Sequence, residues 1–536
     1  MVVAEYIASA LFRSGVRYIF GVPGGSSIPY IEAFRAAGIE FVLTSHEASA
    51  GIMAGVTARL TGVTGVCHAT TGPGATNITT GCGVALLDRL PVVVLTCETD
   101  SAMINRTTQM NINHQELFKP ITKATFRLTP QHTAEVVEMA LKKCREEYPG
   151  PVHLGLPADI ASQEALTIQP AAKQKKEEIV SNDTDIIFNI LNNTKKPLIA
   201  AGLTLARLSA GQKLITFLTQ AEIPVVLTPM AKGVIPENHP CYAGVLFHAL
   251  SEYLDDIVEK CDLIIGLGYD PVEYNYESWM PDVPLLHFNT RWTDLPENIK
   301  SAQFIGPPEE WFSVLRKAAW PPRLSIPEEI TKVREEVTRV FQGFTGHFGP
   351  VTALRVLQEE IPPETIVTAD VGSHLHLIGQ FWNTSGRQKI LMTNGWSGMG
   401  FGIPAALAAC MINPFKPVVC ITGDGGFLMT AGEIATARRY NLPVIIVVLS
   451  DGELNLIRLK KSWQNKSPYG TILYSGDLFG SDRFLGIRVL AAGCEDELRK
   501  AVRTSFALSE PVIIDARIEP DDYKWLIKRT EAPELT

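Results

Sequence analysis

One stretch of the sequence brings glycines, carboxylates and apolar strands together in an order that can handle a phosphorylated ligand. The apolar run Val418–Thr422 leads into Gly423-Asp424-Gly425-Gly426 and then into the helical pattern FLMTAGEIATARRY. A strand, a glycine turn and a helix start aim backbone N–H groups at a phosphate, and glycines let the ligand approach the backbone. Asp424, at the strand end, can ligate a hard cation bridging that phosphate. A second apolar run, VIIVVL, ends at Ser450-Asp451-Gly452-Glu453, which puts Asp451 27 residues after Asp424. One strand–helix–strand crossover sets the second strand end beside the first, at the carboxyl edge where parallel sheets bind ligands. Two carboxylates and nearby backbone carbonyls then converge, a donor set suited to Mg²⁺. The plain alternative is two ordinary turns with solvated aspartates, and the paired spacing on two strand ends counts against it.

The elements that must position these residues recur along the chain. The segments 19–25, 40–46, 65–72, 91–98 and 151–157 are short, rich in β-branched residues and bounded by Gly or Pro, as buried parallel strands are. Between them lie helical patterns such as EASAGIMAGVTARL, with Ala48, Ile52, Val56 and Leu60 on one stripe. A polar stretch, 169–185, reads as a linker. A second block supplies strands at 196–202, 223–229, 262–268 and 283–289. Trp320-Pro321-Pro322 and a charged helix mark the next boundary. A third block supplies 364–372, 418–426, 444–452 and 511–518. Alternating strands and helices imply parallel sheets covered on both faces. The expected class is α/β, with three doubly wound parallel-sheet domains at 1–168, 185–320 and 340–525 and a tail at 526–536.

Composition narrows the function classes. The 536 residues are 46% hydrophobic and 20% charged, which excludes general disorder, and the net charge of −9 argues against nucleic acid and anionic membranes as partners. No run approaches the roughly 20 apolar residues of a membrane span. The N-terminal MVVAEYIASALFRSGV is spaced as a helix, is broken by Glu5 and has no basic start, so it does not read as a signal peptide. Nine scattered cysteines without a CxxC read as free thiols in a reducing compartment. These features point to a cytoplasmic α/β enzyme.

Several segments together resemble the thiamine diphosphate enzymes, and among them the acetolactate synthase-like, pyruvate oxidase-like group. They are GDGGFLMTAGEIATARRYNLPV, DVGSHLHLIGQFW (370–382), GWSGMGFGIPAALAA (395–409), GVPGG, SHEASAGIMA, TTGPGATN and FKPITK. The resemblance covers nearly the whole chain. It implies a first domain for the aminopyrimidine, a central domain, and a third domain for the diphosphate and Mg²⁺. By this resemblance Glu47 is the catalytic carboxyl that meets ring N1′. Local sequence also reads Glu47 as a first-turn residue favouring the helix dipole, behind Ser45 as N-cap. Thr71 to Asn77 lies against the pyrimidine, with Pro73 and Asn77 in the turn, and Pro23 and Gly24 form the equivalent turn after the first strand. Ser397, Gly398 and Met399 wrap the cofactor, with Met399 propping its bend. Gly372, Ser373 and His374 reach the diphosphate with Gly423, Asp424, Gly425 and Gly426. The metal falls to Asp424, Asp451 and the Glu453 carbonyl, with Leu454 beside them. Asp451 stands where the family has Asn. Gln109 aligns approximately with a substrate-reaching Gln, with His114 and Gln115 as rivals. His374 and His376 alternate as on an extended strand end.

The activity implied is decarboxylation of a 2-oxo acid with ligation to a carbonyl acceptor, acetolactate synthesis being the named expectation. Simple decarboxylation, or carboligation of another pair, is the alternative. Gly268-Tyr269-Asp270-Pro271-Val272-Glu273-Tyr274 stands where relatives that bind FAD carry an Arg-rich turn, so FAD is not expected. A homo-oligomer, dimer or dimer of dimers, with sites shared between subunits is implied. A nucleotide-dependent dehydrogenase is disfavoured because GVPGGS has the wrong spacing for a dinucleotide loop. A silent regulatory subunit is disfavoured by the presence of Glu47 and Asp424.

Overall fold

The computed structural model describes residues 1–166, 184–247, 251–297, 299–318, 320, 326–342, 347–386 and 388–526. Most of the expected linker at 169–185 and nearly all of the tail at 526–536 lie outside the described residues. Three sheets, one per domain, carry the fold.

The first sheet comprises β1 (Tyr18–Gly21), β2 (Glu40–Leu43), β3 (Gly65–Ala69), β4 (Val92–Glu98), β5 (Ala124–Arg127) and β6 (Val152–Pro157), all parallel, in the order β2-β1-β3-β4-β6-β5. The central sheet holds β7 (Pro197–Ala201), β8 (Val225–Leu227), β9 (Tyr242–Val245), β10 (Leu263–Leu267), β11 (Leu285–Asn289) and β12 (Ser301–Ile305), in the order β12-β11-β10-β7-β8-β9. The third holds β13 (Ile366–Ala369), β14 (Lys389–Leu391), β15 (Val418–Gly423), β16 (Val444–Ser450), β17 (Arg483–Phe484), β18 (Ile487–Ala492) and β19 (Val512–Arg517). Its order is β14-β13-β15-β16-β19-β18-β17, parallel except for the β17–β18 hairpin.

The inner strands β3, β4, β7, β10 and β16 are buried along their whole length, which is why they read as continuous apolar runs. Each sheet has a switch point where the winding reverses: β1/β3, β7/β10 and β13/β15. Loops leaving the carboxyl ends of such strand pairs diverge and open a crevice.

The helix Glu47–Thr61 is buried on nearly every face, not along one stripe. It lies between its own sheet and the helix Gly402–Ile412 of the third domain, in one shared core. Gly51 permits this packing on the first-domain side, because a Cβ there would meet Gly81 Cα at 2.7 Å. The helix ends at Gly62 with φ 72°, a left-handed cap suited to glycine. Among the described residues, no helix is long and apolar enough to cross a membrane. All nine cysteines are free, and eight are buried.

Candidate active site

The third-domain crevice lies at the β13/β15 switch point. Asp424, the first residue of the helix Asp424–Thr430, is 4% exposed. Its Oδ2 accepts hydrogen bonds from Asp451 N (3.2 Å), Gly452 N (2.7 Å) and the Tyr474 hydroxyl (2.9 Å), and Oδ1 accepts from Gly425 N (2.8 Å). The Asp451 carboxylate accepts from Glu453 N (3.1 Å). Burial first, and the Asp424 charge second, push the Asp451 carboxyl up to about 8. Burial also raises Asp424. A proton shared by this buried pair, or a divalent cation between the two groups, relieves their mutual repulsion. The Glu453 carboxylate is taken by Arg458 (3.1 Å) and Thr471, while its carbonyl accepts from Asn455 N (2.9 Å) and keeps a second lone pair. A cavity of about 460 Å³ lined by Asp451, Glu453 and Tyr474 adjoins the pair.

The other side of the crevice is built by β13. Gly372 and Gly423 flank the His374 ring: a Cβ on Gly372 would meet its Cε1 at 2.8 Å, and one on Gly423 at 3.4 Å. His374 is 2% exposed, its Nε2 has no partner, and burial lowers it to about 4, so the ring is neutral. The buried Ser373 hydroxyl is also unpartnered. Buried polar atoms normally find partners, so these two mark a place for a polar ligand. A Cβ on Gly425 would meet Met399 Cε at 2.7 Å and Leu454 Cδ2 at 3.0 Å, so this glycine keeps the floor of the crevice low. Anion-binding backbone, an unpartnered hydroxyl and paired carboxyl groups together fit a diphosphate with a divalent cation. His374 and His376 belong to the helix Ser373–Phe381, not to an extended strand end, because the chain turns into a helix straight after Gly372.

Asp370 and Tyr474 complete this side and were not singled out from sequence. Asp370, fully buried after β13, accepts from Gly400 N (2.9 Å), Phe401 N (3.2 Å) and the Thr422 hydroxyl (3.0 Å). It thereby fixes the loop that carries Ser397, Gly398 and Met399. Ser397 has φ 55°, and Trp396 packs over Gly83 of the first domain. The acid directly before Gly372 was a readable signal for Asp370. Tyr474, 50 residues after Asp424, gave none.

In the first domain Glu47 opens its helix just past β2 and is 7% exposed. Asn77 Nδ2 donates to its Oε2 at 3.0 Å. Asn77 ends the five-residue helix Pro73–Asn77, so the TTGPGATN turn delivers an amide to the carboxylate. The N-cap of the Glu47 helix is His46, whose Nδ1 accepts from Ala48 N (3.1 Å), and not Ser45. The Ser45 hydroxyl donates instead to Gly432 O (2.7 Å) in the third domain. Pro23 and Gly24 follow β1, with Gly24 N donating to Ser27 Oγ (3.0 Å) and Gly24 pressed against Thr70 of the neighbouring switch-point loop.

The rivals near the substrate side separate clearly. Gln109 is exposed, on an arm whose next residue, Met110, lies against Gly72. His114 is buried beneath the same turn, with Gly72 N donating to its Nε2 (3.4 Å) and its Nδ1 on Thr96 Oγ1 (2.8 Å). Thr96 Oγ1 also meets His153 Nε2 (2.8 Å), and His153 Nδ1 meets Thr125 Oγ1 (2.7 Å). One proton order satisfies this chain: Nε2 of His114 accepts, so Nδ1–H donates to Thr96, which donates to His153. Glu98 closes the cluster, bound by Gln115 (2.5 Å) and Arg127 (2.7 Å). Glu98, His114 and His153 are close enough to hold a metal, yet every group already has its partner and Arg127 opposes a cation.

At the β7/β10 switch point of the central domain the backbone is tightly packed, although a cavity of about 480 Å³ lined by Arg89, Leu203, Arg207, Met230 and Lys232 opens beside it. A Cβ on Gly202 would meet Tyr269 Cα at 2.7 Å, and Gly268, with φ 53°, is pressed on Leu205. Tyr269, Tyr276 and Trp279 pile up beside it, and Asp270 is paired with Arg89 of the first domain at 2.7 Å.

Comparison with known proteins agrees with this layout. Residues 1–117 match the N-terminal TPP binding domain of thiamine pyrophosphate enzymes, 184–315 the central domain and 370–516 the C-terminal TPP binding domain. The chain belongs to the thiamine pyrophosphate (thiamine diphosphate) enzymes, and it is a thiamine diphosphate-dependent enzyme. It is 29% identical to a probable acetolactate synthase large subunit of Methanocaldococcus jannaschii, across 96% of this chain and 92% of that one. It is 28% identical to the acetolactate synthase isozyme 2 large subunit of Escherichia coli (97% and 96% covered) and 25% identical to an acetolactate synthase of Bacillus subtilis (97% and 93%).

Proposed function

We propose that the protein is an acetolactate synthase-type carboligase that removes CO₂ from a 2-oxo acid and joins the remaining acyl carbon to a carbonyl acceptor, with pyruvate in both roles. The observation that carries this reading is the buried Glu47–Asn77 pair at the sheet edge of a chain similar to acetolactate synthases over almost its full length. Thiamine diphosphate, when bound, supplies the carbon that bonds the donor carbonyl and takes up the electron pair released with CO₂. Glu47 holds the proton at ring N1′, with Asn77 fixing its carboxylate. Pro23, Gly24 and Pro73 shape the pyrimidine side, and Met399 with Leu454 supports the bend that brings the reacting atoms together. Ser373, His374 and the turn of Gly423 to Gly426 take the diphosphate, with Gly425 N already held by Asp424. Asp424, Asp451 and the Glu453 carbonyl take Mg²⁺. Gln109 reaches the substrate from its exposed arm, and His114 supports the Gly72 turn from below.

Simple decarboxylation, or ligation of another pair, is a second reading favoured by one observation. Asp451 replaces the family's Asn and lines the cavity next to the metal pair. We further infer a dimer, or a dimer of dimers, in which Glu47 of one chain serves the diphosphate of the other. The hydrogen-bond partners of Glu47 and of Asp424 share no residue, and Met110, Ile112, Leu428, Met429 and Ile472 leave apolar surface exposed around both. Exposed apolar patches of this kind mark interfaces. The turn from Gly268 to Tyr274, whose Asp270 is taken by Arg89 and which carries no arginine of its own, supports a domain without FAD.

Cofactor titration by circular dichroism, followed by CO₂ release from a panel of 2-oxo acids, tests the reading. Pyruvate should release CO₂ and yield acetolactate only with cofactor and Mg²⁺; no CO₂ from any 2-oxo acid would end it. Mixing Glu47→Gln with Asp424→Ala subunits should restore activity if sites are shared.

A further inference from the structure

Glu433 lies in the third domain, three residues beyond the end of the helix Asp424–Thr430, and opens the helix Glu433–Arg439. The intervening Ala431 and Gly432 complete the connection. The side chain is 1% exposed and turned towards the first domain. Ser45 N donates to both of its oxygens (3.1 Å each), His46 N to Oε1 (3.0 Å), and the Thr436 hydroxyl to Oε2 (2.7 Å). Among the described residues no ion pair neutralises it. Three neutral donors make four hydrogen bonds to a buried carboxylate, and two of the three are the backbone N–H groups immediately before Glu47.

Those two N–H groups lie outside the Glu47 helix, so the helix itself does not hold them. The strand end before them is held by the same helix: Leu43 N donates to the Tyr440 hydroxyl (2.9 Å) and Arg439 donates to Leu43 O (2.8 Å). The difference lies in what each contact controls. Tyr440 ties the end of β2, whereas Glu433 sets the two residues from which Glu47 departs. Asn77 then fixes the carboxylate from the other side. A catalytic group must be held to within about 0.5 Å of its working position.

We infer that Glu433 is a positioning residue for Glu47: the segment that starts at the metal ligand Asp424 ends in the brace that sets the catalytic carboxyl of the same chain. This rests on the reading of Glu47 given above. Glu433→Gln keeps the shape of the side chain but replaces one acceptor oxygen with a donor, which opposes an N–H of Ser45 or His46. Glu433→Asp keeps the charge with a shorter reach. Tyr440→Phe removes a neighbouring interdomain hydrogen bond and serves as the measure of a merely structural staple.

Two readouts decide the matter. In the cofactor-free protein, backbone hydrogen exchange followed by mass spectrometry should show the peptide containing Ser45 and His46 losing protection in Glu433→Gln. In the loaded protein, C2–H/D exchange of the cofactor should fall roughly 10- to 100-fold in Glu433→Gln. It should fall less in Glu433→Asp and stay unchanged in Tyr440→Phe, with cofactor affinity altered less than about threefold in all three, since none of them touches the crevice. Unchanged C2 exchange in Glu433→Gln, or an equal fall in Tyr440→Phe, overturns the inference. Glu47→Gln in the same assay separates the two levels. If it leaves C2 exchange intact, the reading of Glu47 fails and this inference with it. If it stops exchange while Glu433→Gln does not, only the role of Glu433 falls.

Discussion

Two buried aspartates stand just past switch-point strands of similar sheets, and they have opposite surroundings. Asp270, after β10, is 2% exposed and meets the Arg89 guanidinium at 2.7 and 3.2 Å, with that guanidinium also over the Tyr148 ring. Asp424, after β15, is 4% exposed and meets only N–H and O–H donors, with Asp451 beside it. The same topology makes a crevice in both domains. In the central one the switch point is packed by its own backbone and Asp270 is taken by an arginine from the neighbouring domain, so this aspartate joins domains and leaves the adjoining cavity of about 480 Å³ without it. The third keeps glycines, an unpartnered hydroxyl and two carboxyl groups with no cationic side chain on them, so it takes a ligand. A buried carboxylate with its own cation is structure; one beside another carboxyl leaves the pair to take up a proton or a cation.

The largest expected effects come from deleting each aspartate. Asp424→Ala should raise the Mg²⁺ and cofactor concentrations needed for activity on the order of 100-fold or more, since it removes a proposed metal ligand. Asp270→Ala strands a mostly buried Arg89 and should cost about 3 kcal/mol of stability, with cofactor affinity unchanged. Thermal unfolding and cofactor titration of both variants check this; a loss of affinity in Asp270→Ala would erase the distinction.

A smaller effect is tied to pH. The folded-state Asp451 carboxyl sits at about 8, above the roughly 3.9 of an unfolded Asp. Its contribution to stability is therefore present at low pH and lost as pH rises through about 8. The cofactor-free protein should become less heat-stable from pH 5 to 9, and Mg²⁺ should bind more tightly over the same range as the proton leaves. Asp451→Asn should flatten both trends, as measured by unfolding scans with and without Mg²⁺. An unchanged slope would show that this carboxyl is not the group that titrates.

The smallest contrast uses the glycines. Gly425→Ala meets the flexible ends of Met399, Leu454 and Leu473, so it should weaken cofactor binding about tenfold with little change in folding, the cost of a crowded site. Gly202→Ala meets the Tyr269 and Gly268 backbone and should cost about 1–3 kcal/mol of stability with binding intact. Calorimetric binding and denaturant unfolding separate the two.

The chemistry of β15 and β16 was legible because their apolar runs end directly in GDG and SDG, so each strand announces its own site residues. Inner strands were legible throughout for the same reason: buried on both faces, they are apolar without interruption. The strands that sequence missed are edge strands or next to an edge: β5, β9, β12, β14, β17 and β18. β18 alternates buried and exposed residues, and β12 has a single buried one, so neither forms a run that stands out. The His46 cap was missed because an imidazole took the role usually given to Ser, Ser45 being drawn to Gly432. Glu433 looked like an ordinary first-turn acid, and its partners lie 387 and 388 residues away in sequence. Long-range braces of this kind leave no local pattern.

Titration calorimetry on protein stripped of metal and cofactor tests the central claim most directly. Thiamine diphosphate should bind at one equivalent per chain only when Mg²⁺ is present, binding should disappear in Asp424→Ala and persist in Asp270→Ala, and FAD should give no heat. Binding that ignores Mg²⁺ and Asp424, or stoichiometric binding of FAD, would contradict the assignment of the third-domain crevice to the diphosphate and of the central switch point to structure.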